Sequence, residues 1–466
     1  MAENYPRPRL IIAATASGVG KTTVSVGLMS ALTKRGYTVQ PFKIGPDYID
    51  PGYHGAATGR PSRNLDLYML DEETVLTLFL EASDDADLSV IEGVMGLFDG
   101  ISGSSQHGST AHMAKLLGSP VILVVDAWSS ASSVAAEVLG FKEFDPEVKL
   151  MGVILNRVAG EKHANICAEA IQNRVHVPVL GWLSKSDLIS VPERHLGLHA
   201  YAEHPETTSK LVSSAAKLIE AGVDLDSVVQ LARSAPPIRA HSDFKKIWGK
   251  KQNRNVKLAV ALDAAFNFYY ADSLKLLSNL GAEIIPFSPL TEAKVPEGVC
   301  GIYIGGGFPE IYASKLEANS TMRRSLGKLV ESEIPFFAEC GGLMYLAKAM
   351  VLQDGTRKKM VGVLEAEAVM TNRLTIGYVE GRAVRHNIIS RRGETYLGHE
   401  YHYSYLRDVP EDALMSYKLA KGKGIREGAD GWLTHNTLAC YTHTHLYSNQ
   451  KMAARFLDQC ALYSRK

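Results

Sequence analysis

Short apolar runs alternate with helix-period segments along the first half of the chain. The runs have the length and content of buried strands and lie at residues 10–14, 39–44, 88–91, 121–125 and 150–155. Between the first two, residues 22–35 have the apolar spacing of an amphipathic helix that ends at Gly36. Strands that alternate with helices predict βαβ units, a parallel sheet covered on both faces and a doubly wound α/β domain.

A second α/β series begins after a polar, proline-containing stretch. Residues 234–251 (SAPPIRAHSDFKKIWGKK) contain a Pro-Pro pair and a cluster of charge, and they interrupt the pattern. New strands are predicted at residues 256–262, 284–287, 301–304 and 335–338. We therefore expect two α/β domains, residues 1–235 and 256–466, joined by a linker at residues 236–255.

Composition narrows the class of protein. The 466 residues contain 50 Lys plus Arg and 50 Asp plus Glu, a balance that does not favour a nucleic-acid-binding protein. The five cysteines form no CxxC pair, so neither a zinc site nor a disulfide framework is indicated. No apolar run reaches the roughly 20 residues of a membrane span, and the N-terminus leads directly into a strand. We expect a cytoplasmic protein that binds neither membrane nor nucleic acid.

The first predicted strand leads into a phosphate-binding loop. Residues 15–22 (TASGVGKT) match GxxxxGK[ST], except that Thr15 replaces the first glycine. Backbone N–H groups at Ser17, Gly18, Val19 and Gly20 would converge on phosphate oxygens at the positive end of the next helix. Lys21 would neutralise the β and γ oxygens of ATP, and the Thr22 hydroxyl would ligate Mg²⁺. The alternative is a tight glycine-rich turn, but the strand-loop-helix context favours a nucleotide site.

Acidic and basic residues follow two other strands of this domain. Glu92 ends a buried strand, where P-loop enzymes place a second Mg²⁺ contact. Lys43 and Asp47 lie in FKIGPDYID, after the second strand. Lys43 would meet a phosphate or a substrate carboxylate, and Asp47 would ligate Mg²⁺. For Asp99 two interpretations stay open, a functional carboxylate or a residue that holds a glycine-rich turn.

A nucleophile is predicted in the second domain. Cys340 lies between a strand and a helix in FFAECGGLMYLAKAM, so a sharp turn would hold it above the sheet edge. The N-terminus of that helix would favour the thiolate. Gly341, together with Gly306 and Gly307 of the run after residues 301–304, would offer backbone N–H groups to an oxyanion. A buried structural thiol is the alternative.

A cysteine nucleophile needs a base, and YTHTH near the C-terminus supplies candidates. His443 and His445 share a face if the segment is extended. The order of glycine run, cysteine and histidine is that of triad glutaminases. In those enzymes a Glu follows the His by two residues, whereas here that position holds His445, so the base would be oriented by His445 or by a carbonyl.

With these motifs in place, the chain resembles the cobyrinate a,c-diamide synthase family of cobalamin biosynthesis. The matching stretches run in family order over nearly the whole chain: ATASGVGKTTVSVGL, FKIGPDYIDPGYH, IEGVMGLFDG, GVILNR, VPERHLGL, YIGGGFPE, FFAECGGLMYL and YTHTH. The resemblance implies an N-terminal domain like dethiobiotin synthetase and a C-terminal class I glutaminase domain. It implies a ligase that amidates the c and then the a carboxylate of cobyrinate, using two ATP and two glutamine.

The resemblance also implies roles for single residues. Lys21 and Thr22 take the phosphate and Mg²⁺ roles, with Asp47 and Glu92 as metal partners. Asn156 matches a position that contacts adenine, and Tyr48 and Ile49 fall where the family meets its tetrapyrrole. Cys340 is the nucleophile and His443 its base. The oligomeric state stays open, with a homodimer as the candidate.

Two neighbouring activities and one distant class remain as alternatives. Ni-sirohydrochlorin and hydrogenobyrinate offer the same acetate side chains at a tetrapyrrole rim, so the same motifs would serve. A P-loop partitioning ATPase is the distant class. Such proteins carry an extra lysine early in the loop, where this chain has Ala16, and they need no Cys–His pair.

Overall fold

The computed structural model describes residues 2–185, 193–194, 197–198, 205–241 and 254–465. The chain divides into two compact units, Met1–Ile247 and Trp248–Lys466. The expected linker at 236–255 stays a prediction: its Ile238–His241 segment pairs with Ala2–Tyr5 of the first unit, and residues 242–253 lie outside the described residues.

In the part of the chain that the structure describes, the first unit contains a main parallel sheet and two further strand pairs. Its strands are β1 Ala2–Tyr5, β2 Arg9–Ala14, β3 Val39–Ile44, β4 Arg63–Leu65, β5 Leu88–Glu92, β6 Val121–Asp126, β7 Leu150–Val158, β8 Val179–Ser184, β9 Glu193–Arg194, β10 Gly197–Leu198 and β11 Ile238–His241. Within the described residues, the main sheet has the order β4-β3-β5-β2-β6-β7-β8, and its neighbouring strands run parallel. The further pairs are β1–β11 and β9–β10. Every residue of β2 and β3 is buried, as expected for strands covered on both faces.

Helices connect these strands. They are α1 Lys21–Lys34, α2 Ile49–Thr58, α3 Glu72–Ala82, α4 Thr110–Leu117, α5 Ser133–Phe144, α6 Glu161–Val175, α7 Pro205–Gly222 and α8 Leu225–Arg233. Because β2, β3, β5 and β7 are parallel, their carboxyl ends meet at one edge, and the predicted ATP-site residues follow those ends. Of the VPERHLGL stretch only β9 and β10 are described; the rest lies outside the described residues.

The second unit has a larger, mixed sheet. Its strands are β12 Val256–Ala261, β13 Ala282–Phe287, β14 Gly301–Ile304, β15 Phe336–Glu339, β16 Ala347–Val351, β17 Arg357–Lys359, β18 Leu364–Ala383, β19 Thr395–Arg407, β20 Leu414–Lys421, β21 Ala429–Thr434, β22 Thr437–Cys440 and β23 His443–Thr444. The run β13-β12-β14-β15-β22 is parallel. From β22 the sheet continues through β21, β20, β18, β16 and β17, whose neighbours are antiparallel except for the parallel pair β18–β16. Strand β19 pairs antiparallel with both β18 and β23.

The helices of the second unit are shorter. They are α9 Ala271–Asn279, α10 Ala313–Ala318, α11 Ser320–Glu331, α12 Gly341–Leu346 and α13 Gln450–Tyr463, with a 3₁₀ turn at Leu446–Asn449. The helix predicted after Cys340 was wrong in its second half, because Ala347–Val351 forms β16 and pairs with β17 and β18. Sheet pairing outweighs the helix propensity of those residues.

The predicted strands of both units are confirmed to within a few residues, and the fold class of two α/β domains is confirmed with them. No helix in the described part of the chain is long and apolar enough to span a membrane.

Candidate active sites

The predicted phosphate loop joins β2 to α1, and Lys21 is the first helical residue. Gly18 and Gly20 have positive φ angles of 79° and 96°, so the loop uses a backbone conformation that other residues rarely adopt. A Cβ at Gly20 would lie 2.1 Å from Nδ2 of Asn156. Ser17 precedes Gly18 and Val19 lies between the two glycines, and the binding of phosphate by this loop stays a prediction.

Lys21 and Thr22 face two different partners. The Lys21 ammonium donates to the carbonyl of Met95 at 2.5 Å. Burial, with help from the charge of Lys43, lowers the Lys21 pKa to about 8. The Thr22 hydroxyl donates to Oε1 of Glu92 at 2.7 Å, which brings together two of the residues predicted to hold Mg²⁺.

Lys43 lies at the centre of a buried ion-pair cluster. Its ammonium is 2.5 Å from Oδ2 of Asp50 and 3.0 Å from Oε1 of Glu92, and Asp47 lies at 3.9 Å. Burial acts to lower the Lys43 pKa, but Asp50, Glu92 and Asp47 together raise it above its ordinary value. Lys43 is therefore a permanent cation at this sheet edge.

Glu92 is held on its second oxygen by a histidine. Nε2 of the fully buried His54 is 2.7 Å from Oε2 of Glu92, and its Nδ1 is 3.1 Å from the Ser62 hydroxyl. Burial alone would raise the Glu92 pKa, but Lys43 and then His54 hold it well below the ordinary value. In Asp50 the balance is reversed, and burial with the neighbouring carboxylates raises its pKa.

Sequence reasoning did not single out Asp50 and His54. Both belong to α2 and are four residues apart, so they share one face of the helix. That spacing, in a helix that starts at the carboxyl edge of the sheet, was the available signal.

The predicted substrate residues Asp47, Tyr48 and Ile49 precede or begin α2. Asp47 Oδ1 accepts the backbone N–H of Ile49 at 2.7 Å, and Asn64 donates to the Asp47 carbonyl at 2.7 Å. These bonds fix the GPDYID loop at the sheet edge. The contacts of the three residues with a substrate stay predictions.

Asn156 lies at the carboxyl end of β7 and reaches the phosphate loop. Its Nδ2 donates to the Val19 carbonyl at 2.8 Å. Arg157, which the sequence did not indicate, donates to the Gly18 carbonyl at 2.6 Å and pairs with Asp126. The two side chains brace the loop from β7, and the contact of Asn156 with adenine stays a prediction.

The donor set fits Mg²⁺ bound together with a nucleotide. A hydroxyl and a carboxylate, Thr22 and Glu92, converge at hydrogen-bond distance, with Asp47 nearby. Among the described residues there is no cluster of three or more His, Cys, Asp or Glu that could hold a metal. Mg²⁺ is commonly bound through one or two protein oxygens plus phosphates, and the Thr22–Glu92 pair offers such oxygens. Asp99 accepts the N–H of Gly96 at 2.8 Å, which is the contact of a residue that holds a turn.

In the second unit, Cys340 occupies a sharp turn between β15 and α12. Its φ of 47° and ψ of −98° lie outside the regions that an L-residue favours. The thiol is buried and donates to the carbonyl of Tyr401 at 3.7 Å. Burial raises the Cys340 pKa, as do the charges of Glu310 and others, and this outweighs the N–H of Gly341. The resting site therefore favours the thiol over the thiolate, although the helix N-terminus was expected to stabilise the thiolate.

The three predicted oxyanion glycines meet beside Cys340. A Cβ on Gly341 would lie 3.2 Å from the nitrogen of Gly307 and 3.4 Å from the carbonyl carbon of Gly306. Gly307 has a φ of 151°, and a side chain there would collide with the Ala265 carbonyl. The glycines allow two backbone segments to approach closely beside Cys340, and the contact of their N–H groups with an oxyanion stays a prediction.

His443 reaches the same place from β23. A Cβ on Gly306 would lie 2.4 Å from Cε1 of His443, so the ring packs directly on the glycine run. The Cys340 thiol contacts Tyr401, and the His443 ring stacks on His399. These two β19 residues are about 7 Å apart along an extended strand, so the thiol and the imidazole approach neighbouring positions of one strand.

The His443 ring lies in an environment that keeps it neutral. Burial lowers its pKa well below the ordinary value, and the imidazoles of His399 and His402 act in the same direction. His445 packs on the ring of Tyr270 at 4.7 Å, and its Nδ1 accepts the N–H of Tyr447 at 3.3 Å. The two predicted histidines thus contact one cluster of aromatic rings.

Buried carboxylates hold the backbone around His443. Glu339 accepts the N–H of Thr444 at 2.8 Å and the hydroxyl of Tyr303 at 2.6 Å. Asp430 accepts the N–H and the hydroxyl of Thr442 at 3.0 and 2.6 Å. Sequence reasoning missed Glu339, Asp430 and His399. Glu339 meets Thr444 across 105 positions, and His399 meets His443 through the pairing of β19 with β23, contacts that a local pattern does not reveal.

Two family models match the two halves of the chain. Residues 10–198 match a CobQ/CobB/MinD/ParA nucleotide binding domain, and residues 257–451 match a CobB/CobQ-like glutamine amidotransferase domain. Together with the fold, these matches define a glutamine-dependent amidotransferase, a ligase with its own nucleotide-binding domain.

Comparison with whole proteins gives the particular family. The chain is 44% identical over 457 residues to the cobyrinate a,c-diamide synthase of Caldanaerobacter subterraneus, covering 98% of this chain and 99% of that protein. It is 44% identical over 445 residues to the synthase of the same name from Listeria innocua, covering 95% and 97%. It is 42% identical over 483 residues to the hydrogenobyrinate a,c-diamide synthase of Streptomyces coelicolor, covering 97% of each. The chain belongs to the cobyrinate a,c-diamide synthase family.

Proposed function

We propose that this protein converts the a and c acetate carboxylates of cobyrinate to amides, using ATP and glutamine. The observation that carries the substrate is 44% identity over 98% of the chain to a relative that bears this name. Hydrogenobyrinate is the second candidate, because a relative that bears its name is nearly as similar, at 42%.

In the glutaminase half-reaction, His443 accepts the proton of the Cys340 thiol, and Sγ attacks the amide carbon of glutamine. The developing oxyanion is stabilised by backbone N–H groups of Gly306, Gly307 and Gly341. His443 returns the proton to the leaving nitrogen, the C–N bond of the tetrahedral adduct breaks, and ammonia departs to leave a thioester on Cys340. Water then attacks the thioester, His443 takes its proton, and glutamate leaves as Cys340 regains its hydrogen.

In the synthetase half-reaction, a substrate carboxylate oxygen attacks the γ-phosphorus of ATP, the bond to the bridging oxygen breaks and ADP leaves. Backbone N–H groups of the phosphate loop and the Lys21 ammonium stabilise the transferred charge. Bound Mg²⁺, held by Thr22, Glu92 and Asp47, would supply further charge neutralisation. Ammonia then attacks the acyl carbon and phosphate departs, which leaves the amide. Lys43 orients a phosphate or the substrate carboxylate in this site, and Tyr48 and Ile49 contact the tetrapyrrole.

The test of this division of labour is the Cys340→Ala variant. It should abolish glutamine-dependent amidation but retain synthesis from added ammonium, because the phosphate loop belongs to the other unit. Cys167→Ala, a buried cysteine of the first unit, is the control and should keep both activities. Intact glutamine-dependent amidation in Cys340→Ala would refute the assignment of the nucleophile.

The substrate is tested by offering cobyrinate, hydrogenobyrinate and Ni-sirohydrochlorin with ATP, Mg²⁺ and glutamine, and measuring product masses. We expect cobyrinate to gain two amides. Preference for either competitor would reassign the substrate while leaving the chemistry in place.

We also propose that the protein works in the cytoplasm as a homodimer without nucleic acid, and light scattering of the purified protein tests the oligomeric state.

A further inference from the structure

His399 lies face to face with the predicted base. His399 and His443 are directly opposed residues of the antiparallel pair β19–β23. Their ring centroids are 5.0 Å apart with an interplanar angle of 23°, and both side chains are buried. Aromatic rings at this separation restrict each other's orientation. The plane of the His443 ring is therefore set in part by His399.

His399 is itself held in place. Its Nδ1 is 3.1 Å from the hydroxyl of Tyr270, the residue that precedes α9, and the Tyr270 ring packs on His445 at 4.7 Å. Because a ring nitrogen and a hydroxyl can each donate or accept, this bond holds the His399 ring to Tyr270 in either neutral tautomer. The stack is thus anchored to a second element of the unit.

Three side chains near the base each contact a backbone N–H group. Position 445, where a triad glutaminase has its glutamate, holds an imidazole whose Nδ1 accepts the N–H of Tyr447. Glu339 binds the N–H of Thr444, and Glu400 binds the N–H groups of Lys423 and Gly424. These carboxylates hold backbone segments around the site.

We propose that His399 is the positioning residue of the glutaminase site: its ring fixes the plane of the His443 imidazole and, as a second titratable group in contact with it, keeps that base neutral until Cys340 delivers its proton. This inference rests on the proposed role of the Cys340–His443 pair. In triad enzymes a carboxylate orients the base histidine and favours its protonated form. His399 would also orient the base, but it would disfavour the protonated form.

The physical basis is that two buried imidazoles in contact do not readily carry a charge at the same time. A proton on one disfavours a proton on the other, so the pair titrates in two separated steps. Among the described residues, the titratable groups that act on the His443 pKa include His399 and His402, both from β19. Glu339 accepts the N–H of Thr444, the residue after His443, and Tyr270 contacts His399 and His445. Removal of the His399 imidazole leaves a base that is protonated at higher pH.

Two variants separate the effect of the His399 aromatic ring from the effect of its titratable group. His399→Phe keeps an aromatic ring on His443 but removes the titratable group, and His399→Asn keeps an acceptor for Tyr270 but removes both. The acid limb of glutaminase kcat/KM should move to higher pH in both variants, by about one unit. The kcat should fall about tenfold or more in His399→Asn and less in His399→Phe.

His435→Asn is the matched control, because His435 is an exposed histidine with a φ of 49° that asparagine also tolerates. Its acid limb should not move. The pH dependence of Cys340 alkylation by iodoacetamide gives the same shift without turnover, so a variant too slow to assay remains informative. Unshifted limbs in both His399 variants would overturn the proposal and reduce His399 to a packing residue.

Ammonium-dependent amidation separates this proposal from the proposed function. It should be unchanged in both His399 variants, because the proposed role is confined to glutamine hydrolysis. If Cys340→Ala retained glutamine use, the glutaminase assignment itself would fail. A normal Cys340 result with unshifted His399 variants would reject only the positioning role.

Discussion

Glu339 is a buried carboxyl whose proton couples folding to pH. Burial raises its pKa from 4.5 to about 8, although hydrogen bonds from Tyr303 and Thr444 act to lower it. Between these two pH values the folded state holds a proton that the unfolded state has released. The free energy of unfolding therefore falls as pH rises across this window, by at most about 1.4 kcal/mol per pH unit.

Replacing Glu339 by Gln should flatten that dependence. The amide keeps an oxygen for the Thr444 N–H and an NH₂ group for the Tyr303 oxygen, so contacts are preserved while the titration is removed. Urea unfolding of both proteins at several pH values between 4.5 and 8 measures the difference. A difference that does not change with pH would show that Glu339 titrates alike in the folded and unfolded states.

His54 supports Glu92 from inside α2. His54→Leu removes the donor to Oε2 of Glu92, and outer hydrogen bonds to metal ligands commonly contribute ten- to a hundredfold in metal affinity. We expect Mg²⁺-dependent ATP binding, measured by calorimetry, to weaken about tenfold, with metal-free ADP binding less affected. Ser62→Ala, which alters only the far side of the His54 ring, should have a smaller effect. If the Mg²⁺ dependence of ATP binding were unchanged in His54→Leu, the proposed role of Glu92 as a Mg²⁺ ligand would be refuted.

Gly306 is the contact between the glycine run and the base. A methyl group there would lie 2.4 Å from Cε1 of His443 and would displace the ring. Gly306→Ala should therefore reduce glutaminase activity about a hundredfold, the cost of misplacing a catalytic group by about 1 Å. Ammonium-dependent amidation should persist. Gly327→Ala in α11, where an added Cβ meets nothing within 4 Å, should retain glutaminase activity.

At the scale of elements, α1 packs tightly on α7. A Cβ on Gly27 would lie 2.5 Å from Cγ1 of Ile219 and 2.8 Å from the Ala215 carbonyl oxygen, so α7 would have to move. Gly27→Ala should destabilise the protein by about 1–3 kcal/mol, seen as a lower Tm. Gly140→Ala in α5 has open space and should stabilise it slightly. An unchanged Tm in Gly27→Ala would mean that the two helices can separate without cost.

Sequence periodicity predicted elements that are decided by local pattern. The buried parallel strands are continuous apolar runs, and the phosphate loop is contiguous, so β2, β3 and α1 were predictable nearly to the residue. The segment after Cys340 was not, because Ala347–Val351 becomes a strand only through its pairing with β17 and β18. Local propensity carries no information about partners that arrive later in the chain.

At the scale of the whole molecule, the same distinction explains which candidate site residues could be predicted from the sequence. Lys21, Thr22, Cys340 and His443 lie in motifs that are compact in the sequence. His54 meets Glu92 and His399 meets His443 across 38 and 44 positions, and only the folded strands and helices bring them together. Even so, α2 placed Asp50 and His54 at helical spacing, which the sequence does contain.

The two half-reactions must exchange ammonia, and its chemistry predicts how. At pH 7 ammonia that escapes into water becomes ammonium, which is not a nucleophile. We therefore expect transfer without mixing: ¹⁵N-ammonium in the medium should not label amide product made from unlabelled glutamine, as read by mass spectrometry. Cys340→Ala supplied with the same ¹⁵N-ammonium is the control and should give labelled product. With saturating glutamine and the same ammonium concentration, label in the product of the unaltered enzyme as high as in that of Cys340→Ala would indicate that ammonia mixes with the medium.

The buried nucleophile also has a consequence for the durability of the enzyme. Peroxides and alkylating agents attack the thiolate of cysteine, and Cys340 rests as a thiol that donates to a backbone carbonyl. We therefore expect the resting protein to react slowly with such reagents, and to react faster when glutamine is present and the proton has moved to His443. Under oxidative stress, damage would accumulate in proportion to turnover, and an idle pool of enzyme would survive.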